Sequence, residues 1–599
     1  MSRRGHGQIR RSQVITTWGP GALIDLPRHS GVVGGLETWP KVSDLDEIAD
    51  QRLQRKLALI LELPLPRLYA PPPDSSDPSV PKRGIGMWRF PEWMVVQEKT
   101  SGEGQDRSRR LVHRRALDET GRLDGNEVVA TRFVRACPRG HVDDLDWYGF
   151  VHRGERDCKG QLWLDERGTG GDLGDLTIRC QACKKARGMH EAAEWETFAL
   201  GTCRGSRPWL GLHGSREECT LPARLLIRTA SNAYFPQVMS ALSLPDRATG
   251  LDKVVTELWD DLAIVENAVE LGLMKKKPAV AAKLAGIADE DMLAAIARVR
   301  GGGAAERPVK QVELDALLAV PEGFGDDVPV DPNFHARRLP DLHWRRSSLS
   351  EPIAAIVQLH RLREVLALIG FTRFESVTPD MNGEYEGDVE RADLALEPSW
   401  FPAVENRGEG IFLLLEPGAV GAWLSRPGVE RRLDQLRDGH RAWTESRKLE
   451  RAFPGGPYVL LHTLSHLLLQ SLSMRCGYPA SSIRERVYVD PDAGRFGLLL
   501  YTASSDAEGT LGGLVGQARD IEFHLAVALR TGELCSNDPV CAQHAPGEGM
   551  EDRHLHGAAC HGCALVPETS CEMRNDYLDR ALVVPTLAAA DAALFVPGP

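Results

Sequence analysis

Residues 535–571 read CSNDPVCAQHAPGEGMEDRHLHGAACHGCALVPETSC. Cys560 and Cys563 are separated by two residues, Cys571 follows them, and Cys535 and Cys541 precede them. Two residues between thiols is the spacing at which both sulfurs of one turn face a single tetrahedral ion. Four sulfurs close a structural zinc site and leave no position open for chemistry. The expected ligands are Cys541, Cys560, Cys563 and Cys571, with Cys535 as a substitute or supporting thiol. Such an ion adds about 10–16 kcal/mol of apparent binding energy to folding. Buried, reduced thiols are the plainer alternative.

Six more cysteines fall between Cys137 and Cys219, and only Cys476 stands apart. Cys137-Pro-Arg-Gly-His141 reads as one metal knuckle and Cys180-Gln-Ala-Cys183 as another, while Cys158, Cys203 and Cys219 compete for the remaining places. One zinc site is expected here and two are conceivable. Thiols clustered in a long chain point to metal rather than to a disulfide framework. Lys184, Lys185 and Arg187 follow the second knuckle, where basic side chains can meet phosphates, although a solvated surface turn is the commoner explanation.

The surrounding chain reads as a mixed α/β, multidomain protein of 599 residues. The boundaries fall into a mixed region over 1–130, a Cys-rich, zinc-ribbon-like region over 131–235 and a helical block over 236–330. An α/β region over 331–454 and a second α/β domain over 455–599 follow. In the first, Val14–Thr17 reads as a β-like run before the Gly19-Pro20-Gly21 turn, and Leu45–Leu63 as a helix. Phe133–Ala136 should be a strand leading into Cys137. In the helical block, Val254, Leu258, Leu262, Val265 and Val269 recur at spacings of three and four. Ile353–Ile369 is expected to be an apolar helix and Ile411–Leu415 a buried strand. Tyr458–Met474 and Leu511–Leu529 read as helices flanking strands at 488–490 and 496–502. Strand, glycine-rich loop and helix over 500–529 form the unit of an α/β domain.

Net charge is −12, so the chain is no bulk polycation, and nucleic-acid contact must come from local patches or a partner. Candidates are the arginines Arg3, Arg4, Arg10 and Arg11, and the run including Arg109 and Arg110, each also compatible with an exposed, solvated loop. The basic N-terminus lacks the apolar stretch of a secretion signal, and the apolar tail 581–596 is broken by Pro585 and Asp591. No membrane association and a cytoplasmic location are therefore expected. No Gly-x-x-x-x-Gly-Lys-Ser/Thr occurs, so no P-loop is present. His462-Thr-Leu-Ser-His466 has the histidine spacing of a zinc protease, but Thr463 stands where the general-base glutamate belongs. These histidines are read as core or interface residues.

Several strings together resemble a known family. They are Arg11-Ser12-Gln13 with Trp18-Gly19-Pro20-Gly21-Ala22, Pro402-Ala403-Val404-Glu405 with Gly408-Glu409-Gly410-Ile411-Phe412, and Leu461-His462-Thr463-Leu464-Ser465-His466. Leu500-Tyr501-Thr502 with Glu508-Gly509-Thr510-Leu511-Gly512-Gly513, and Cys560-His561-Gly562-Cys563 with Pro567-Glu568-Thr569-Ser570-Cys571, complete the set. The chain resembles the DrmB family, components of bacterial DISARM anti-phage systems. Its C-terminal third is similar to a domain of uncharacterised function fused to, or encoded beside, superfamily-two helicases. The resemblance implies a non-ATPase subunit that partners a helicase-like, DrmA-like ATPase and engages DNA within the complex, and, by analogy, that the strand–loop–helix over Leu500–Leu529 resembles a RecA-like half without nucleotide chemistry. It also implies that Cys541, Cys560, Cys563 and Cys571, with Cys535 nearby, are the family's cysteines. The competing readings are a metal-dependent hydrolase or nuclease using His462, His466 and Asp506 or Glu508, and a scaffold without DNA contact.

Overall fold

The computed structural model describes residues 9–26, 29–73, 84–98, 107–155, 157–168, 171–211, 216–244, 251, 254–255, 257–300, 307–325, 331–385, 389–447, 449–502, 513–546 and 553–596. Arg3, Arg4 and the loop carrying Asp506 and Glu508 lie outside them. The chain divides into two compact units. The first comprises Met1–Ser240, Leu366–Thr378 and Tyr385–Val404; the second comprises Ala241–Val365, Pro379–Glu384 and Glu405–Pro599.

In the first unit, six antiparallel strands run in the order Ala186–Gly188, Leu176–Cys180, Leu162–Glu166, Arg107–His113, Trp93–Val96, Val128–Ala130. Alternation decides which side chains enter the core: Leu176, Ile178 and Cys180 are buried while Thr177 and Arg179 are not. Cys180 therefore ends its strand facing inward. A second, three-stranded sheet pairs Phe133–Ala136 with Arg224–Ile227 and with Val142–Asp143. Near the start of the chain, Arg11–Thr16 is a helix rather than the expected β-like run. Its first turn is closed by the Gln13 side chain accepting from the Arg10 N–H at 2.9 Å, a local bond that outweighs the β-branched Val14 and Ile15.

The second unit holds a core built on five strands and a central helix. We label the strands β1 (Phe334–Arg338), β2 (Ile353–Thr372), β3 (Trp400–Leu415), β4 (Ile483–Asp490) and β5 (Arg495–Thr502), and the helices α1 (Gly456–Cys476) and α2 (Ile521–Glu533). β2 and β3 each also supply residues to the first unit. β2 corrects the sequence expectation of a helix. Nearly all its residues are buried, so the run carries no period, and pairing of Phe334–Arg338 against Val357–Leu362 overrides local helix propensity. β5 pairs antiparallel with both β3 and β4. A RecA-like unit needs parallel neighbours, so that expectation does not describe this sheet.

α1 starts with Pro457 in its first turn and ends at Gly477, whose φ of 72° allows the left-handed cap. It is buried all round, which is how a helix that is apolar on every face is accommodated. The helical block over 236–330 opens with a strand, Phe235–Leu242, before its helices begin. Those helices enclose Val255, Leu262, Val280 and Ile296, and Asn267 caps one by accepting from the Val269 and Glu270 N–H groups. Among the described residues, no helix is long and apolar enough to cross a membrane.

Candidate metal centres

Among the described residues, three quartets of thiol and imidazole donors form, each with its ligand atoms within 4.8 Å of one another. Cys535, Cys541, Cys560 and Cys563 make the first, in the second unit. The Cys541–Cys563 and Cys560–Cys563 sulfur separations are both 3.8 Å, and Cys535–Cys560 is 3.3 Å. Four sulfurs at the zinc–sulfur bond length sit about 3.8 Å apart on a tetrahedron, so the donor set fits zinc. Asp538 shapes the leading loop by accepting from the Cys535 and Ala542 N–H groups. Arg580, fully buried, pairs with Asp538 and donates to the Gly532 and Glu533 carbonyls, tying the end of α2 to the metal loop. The backbone N–H groups of Asn537 and Gly562 donate to the Cys535 and Cys560 sulfurs. A Cβ on Gly562 would crowd the site, lying 2.8 Å from Ser536 Oγ and 3.3 Å from Cys535 Sγ. A hydrogen bond from Cys563, helped by Arg580 and opposed by burial, draws the Cys541 thiol down to about 5.

The expected ligand set is therefore corrected at one position. Cys535 completes this quartet, while Cys571 lies apart from it, its sulfur 3.1 Å from His462 Nε2. The two-residue knuckle was legible; which flanking thiol completes it depends on how the chain folds back from α2.

The first unit carries the other two quartets. Cys137, His141, Cys203 and Cys219 form one. A tight turn brings the first pair together, with the Cys137 N–H donating to the His141 carbonyl and Gly140 at φ 86°. A Cβ on Gly140 would lie 2.5 Å from that of Ala392. His141 Nδ1 is 3.3 Å from Cys137 Sγ and 3.5 Å from Cys203 Sγ, near the roughly 3.6 Å of nitrogen and sulfur sharing one zinc. Its Nε2 meets Glu217 at 2.6 Å, the outer carboxylate that orients a ligating imidazole. A hydrogen bond with Cys137, against burial, lowers Cys203 to about 4.

The second combines His152, Cys158, Cys180 and Cys183. The hairpin closing Leu176–Cys180 onto Ala186–Gly188 presents its two cysteines, with Lys184 at φ 61° and its N–H on the Cys180 carbonyl. His152 Nδ1 bonds the Tyr148 carbonyl at 2.8 Å, leaving Nε2 facing Cys183 at 3.2 Å. Burial opposes ionisation of Cys180, but hydrogen bonds from the Cys183 N–H, Cys158 and His152 bring it to about 6. His152 escaped the sequence reading; its signal was a histidine six positions before Cys158, opposite the Cys180/Cys183 knuckle. In sequence this quartet is nested inside the other, between Cys137/His141 and Cys203/Cys219.

The basic candidates are placed less favourably. Arg109 pairs with Glu166, Arg110 with Glu98 and Asp124, Lys185 with Glu155, and Arg11 with Asp46 at 3.0 Å. Arg10 and Lys184 are exposed.

Donor geometry of this kind defines a zinc-binding protein, and comparison with known families agrees. Residues 464–564 match the MrfA Zn-binding domain, and residues 10–235 match a domain of unknown function, DUF8724. The chain is 33% identical over 484 residues to the "DISARM protein DrmB" of Bacillus paralicheniformis, covering 78% of this chain and 82% of that protein. The chain belongs to the DrmB family of DISARM proteins.

Proposed function

We propose that this protein is a zinc-braced, non-ATPase subunit of a bacterial anti-phage DISARM assembly, acting in the cytoplasm with a helicase-like ATPase partner and contributing to DNA binding. The observation that carries the proposal is identity to a DISARM DrmB protein along most of both chains. The absence of a P-loop from the whole sequence supports placing the motor in the partner. Zinc in each quartet would offset part of the thiolate charge and cross-link loops; we assign it to Cys535/Cys541/Cys560/Cys563, Cys137/His141/Cys203/Cys219 and His152/Cys158/Cys180/Cys183. All three sets supply four protein donors, which favours a structural over a catalytic ion.

DNA contact would centre on Arg10 and Lys184, with Arg11, Arg109, Arg110 and Lys185 contributing where phosphate displaces their carboxylate partners. An exposed pair such as Lys185–Glu155 is worth about 0–1 kcal/mol, so its displacement is cheap, whereas the partly buried Arg109–Glu166 and Arg110–Glu98 pairs resist it more. Co-purification with the helicase-like subunit, followed by DNA titration at several salt concentrations, tests the proposal. A stable complex whose DNA affinity falls with salt is expected. Failure to associate, or ATP turnover by the isolated chain, overturns it.

A further inference from the structure

Apart from the three quartets, four donor side chains meet inside the second unit. His462 and His466 lie four residues apart on one face of α1, Glu485 comes from β4, and Cys571 from the C-terminal segment. Both histidines are wholly buried, and Glu485 and Cys571 are nearly so. Their donor atoms lie within 4.8 Å of one another. His462 Nε2 is 2.9 Å from Glu485 Oε1 and 3.1 Å from Cys571 Sγ, and His466 Nε2 is 3.3 Å from the same carboxylate oxygen. Mixed nitrogen, oxygen and sulfur ligands of one zinc sit about 3.3–3.6 Å apart, so the observed set is only slightly tighter.

The surroundings are those of a ligand set. Nδ1 of His462 faces the Tyr577 carbonyl at 3.3 Å, and Nδ1 of His466 faces that of Ala564 at 2.8 Å. A carbonyl partner holds the proton on Nδ1 and leaves the Nε2 lone pair pointing inward, the usual support of a metal-bound histidine. The Met573 and Asn575 N–H groups point at the Cys571 sulfur at 3.4 and 3.1 Å. Glu485 also accepts from the Ser465 hydroxyl and the Glu572 N–H. One carboxylate and one thiolate with two neutral imidazoles carry two negative charges. A divalent cation would make the centre neutral, which a dry core demands of buried charge.

We propose that His462, His466, Glu485 and Cys571 bind one zinc-class divalent ion, a fourth centre distinct in composition from the sulfur-rich quartets. Four protein donors and full burial make it structural. It fastens α1, β4 and the C-terminal segment together. Because Ala564 follows Cys563, it shares a strand of chain with the Cys535/Cys541/Cys560/Cys563 quartet. The rival is a metal-free cluster in which protonated histidine pairs with Glu485.

Two measurements on the full chain decide between them. Anomalous difference maps from wild-type crystals at the zinc edge should show density between the His462 and His466 Nε2 atoms, Glu485 and Cys571. Density at the three quartets and none here overturns the fourth centre alone, whereas density nowhere overturns the zinc assignments altogether. X-ray absorption on wild-type protein in solution gives an independent readout. Eleven sulfurs among four ions average about 2.8 per zinc, and ten among three about 3.3. Cys571→Ser should lower the zinc count from four to three. If that variant fails to fold, the two wild-type measurements still decide.

Discussion

Replacing Cys535 by serine should weaken zinc binding at the Cys535/Cys541/Cys560/Cys563 quartet as strongly as replacing Cys541. The magnitude follows from the ligand set. A structural zinc contributes about 10–16 kcal/mol of apparent binding energy, so one of four thiolates carries about 3–4 kcal/mol. At 1.4 kcal/mol per decade, affinity falls about 100- to 1,000-fold. The Cys535 sulfur lies 3.3 Å from that of Cys560 and receives the Asn537 N–H, so serine leaves that donor facing a poorer ligand. Asp538 and Arg580 keep the loop in place, which confines the effect to the ion. The assay is zinc release against a competing chromogenic chelator, following the ion lost first. One equivalent should transfer at about 100-fold lower chelator concentration than in the wild type. If Cys535→Ser retains every zinc as tightly as the wild type, the assignment of Cys535 is wrong.

Further perturbations probe other contacts. Asp579→Ala removes the wholly buried partner of Arg432, and two backbone N–H groups lose their acceptor as well; a loss of about 3–5 kcal/mol should appear as a lower urea midpoint. Gly140→Ala forces a side chain onto a φ of 86° and against Ala392, so it should cost about 1–3 kcal/mol and loosen the Cys137/His141 zinc, read by thermal unfolding and metal analysis. Burial holds His524 down to about 4, below the roughly 6.5 of an unfolded chain. Its neutral form is favoured in the fold, so stability is full above about pH 6.5 and declines as pH falls towards 4; His524→Gln should flatten that part of a pH series of denaturant titrations. Lys184→Ala should reduce the slope of log affinity against log salt for DNA by about 0.9.

The sequence made some of this plain because the determining interactions are local. The Cys-x-x-Cys knuckles, α1 and the β4–β5 pair depend on spacing and neighbouring residues, and each appears where the pattern placed it. β2 was misread because a strand buried on both faces has no alternation to reveal it, and its Leu and Ala residues suit a helix. Arg11–Thr16 was misread because a side-chain bond from Gln13 settles what β-branched residues alone do not. The choice between Cys535 and Cys571, and the role of His152, depend on contacts between segments far apart in the chain. No window of sequence holds both partners. The arginines near Arg109 read as a free basic run because their carboxylates, Glu98, Asp124 and Glu166, lie on other strands or loops.

The nesting of one quartet within another imposes a chronology. A polypeptide released from its N-terminus delivers Cys137 and His141 first, yet these must wait half-finished while His152, Cys158, Cys180 and Cys183 arrive and can close around their own ion. Closing that inner ring shortens the effective tether between the waiting pair and Cys203/Cys219, lowering the entropic barrier to the last capture. Metal starvation during synthesis should therefore strike the outer ring hardest, since it is completed last and leans on a neighbour already in place.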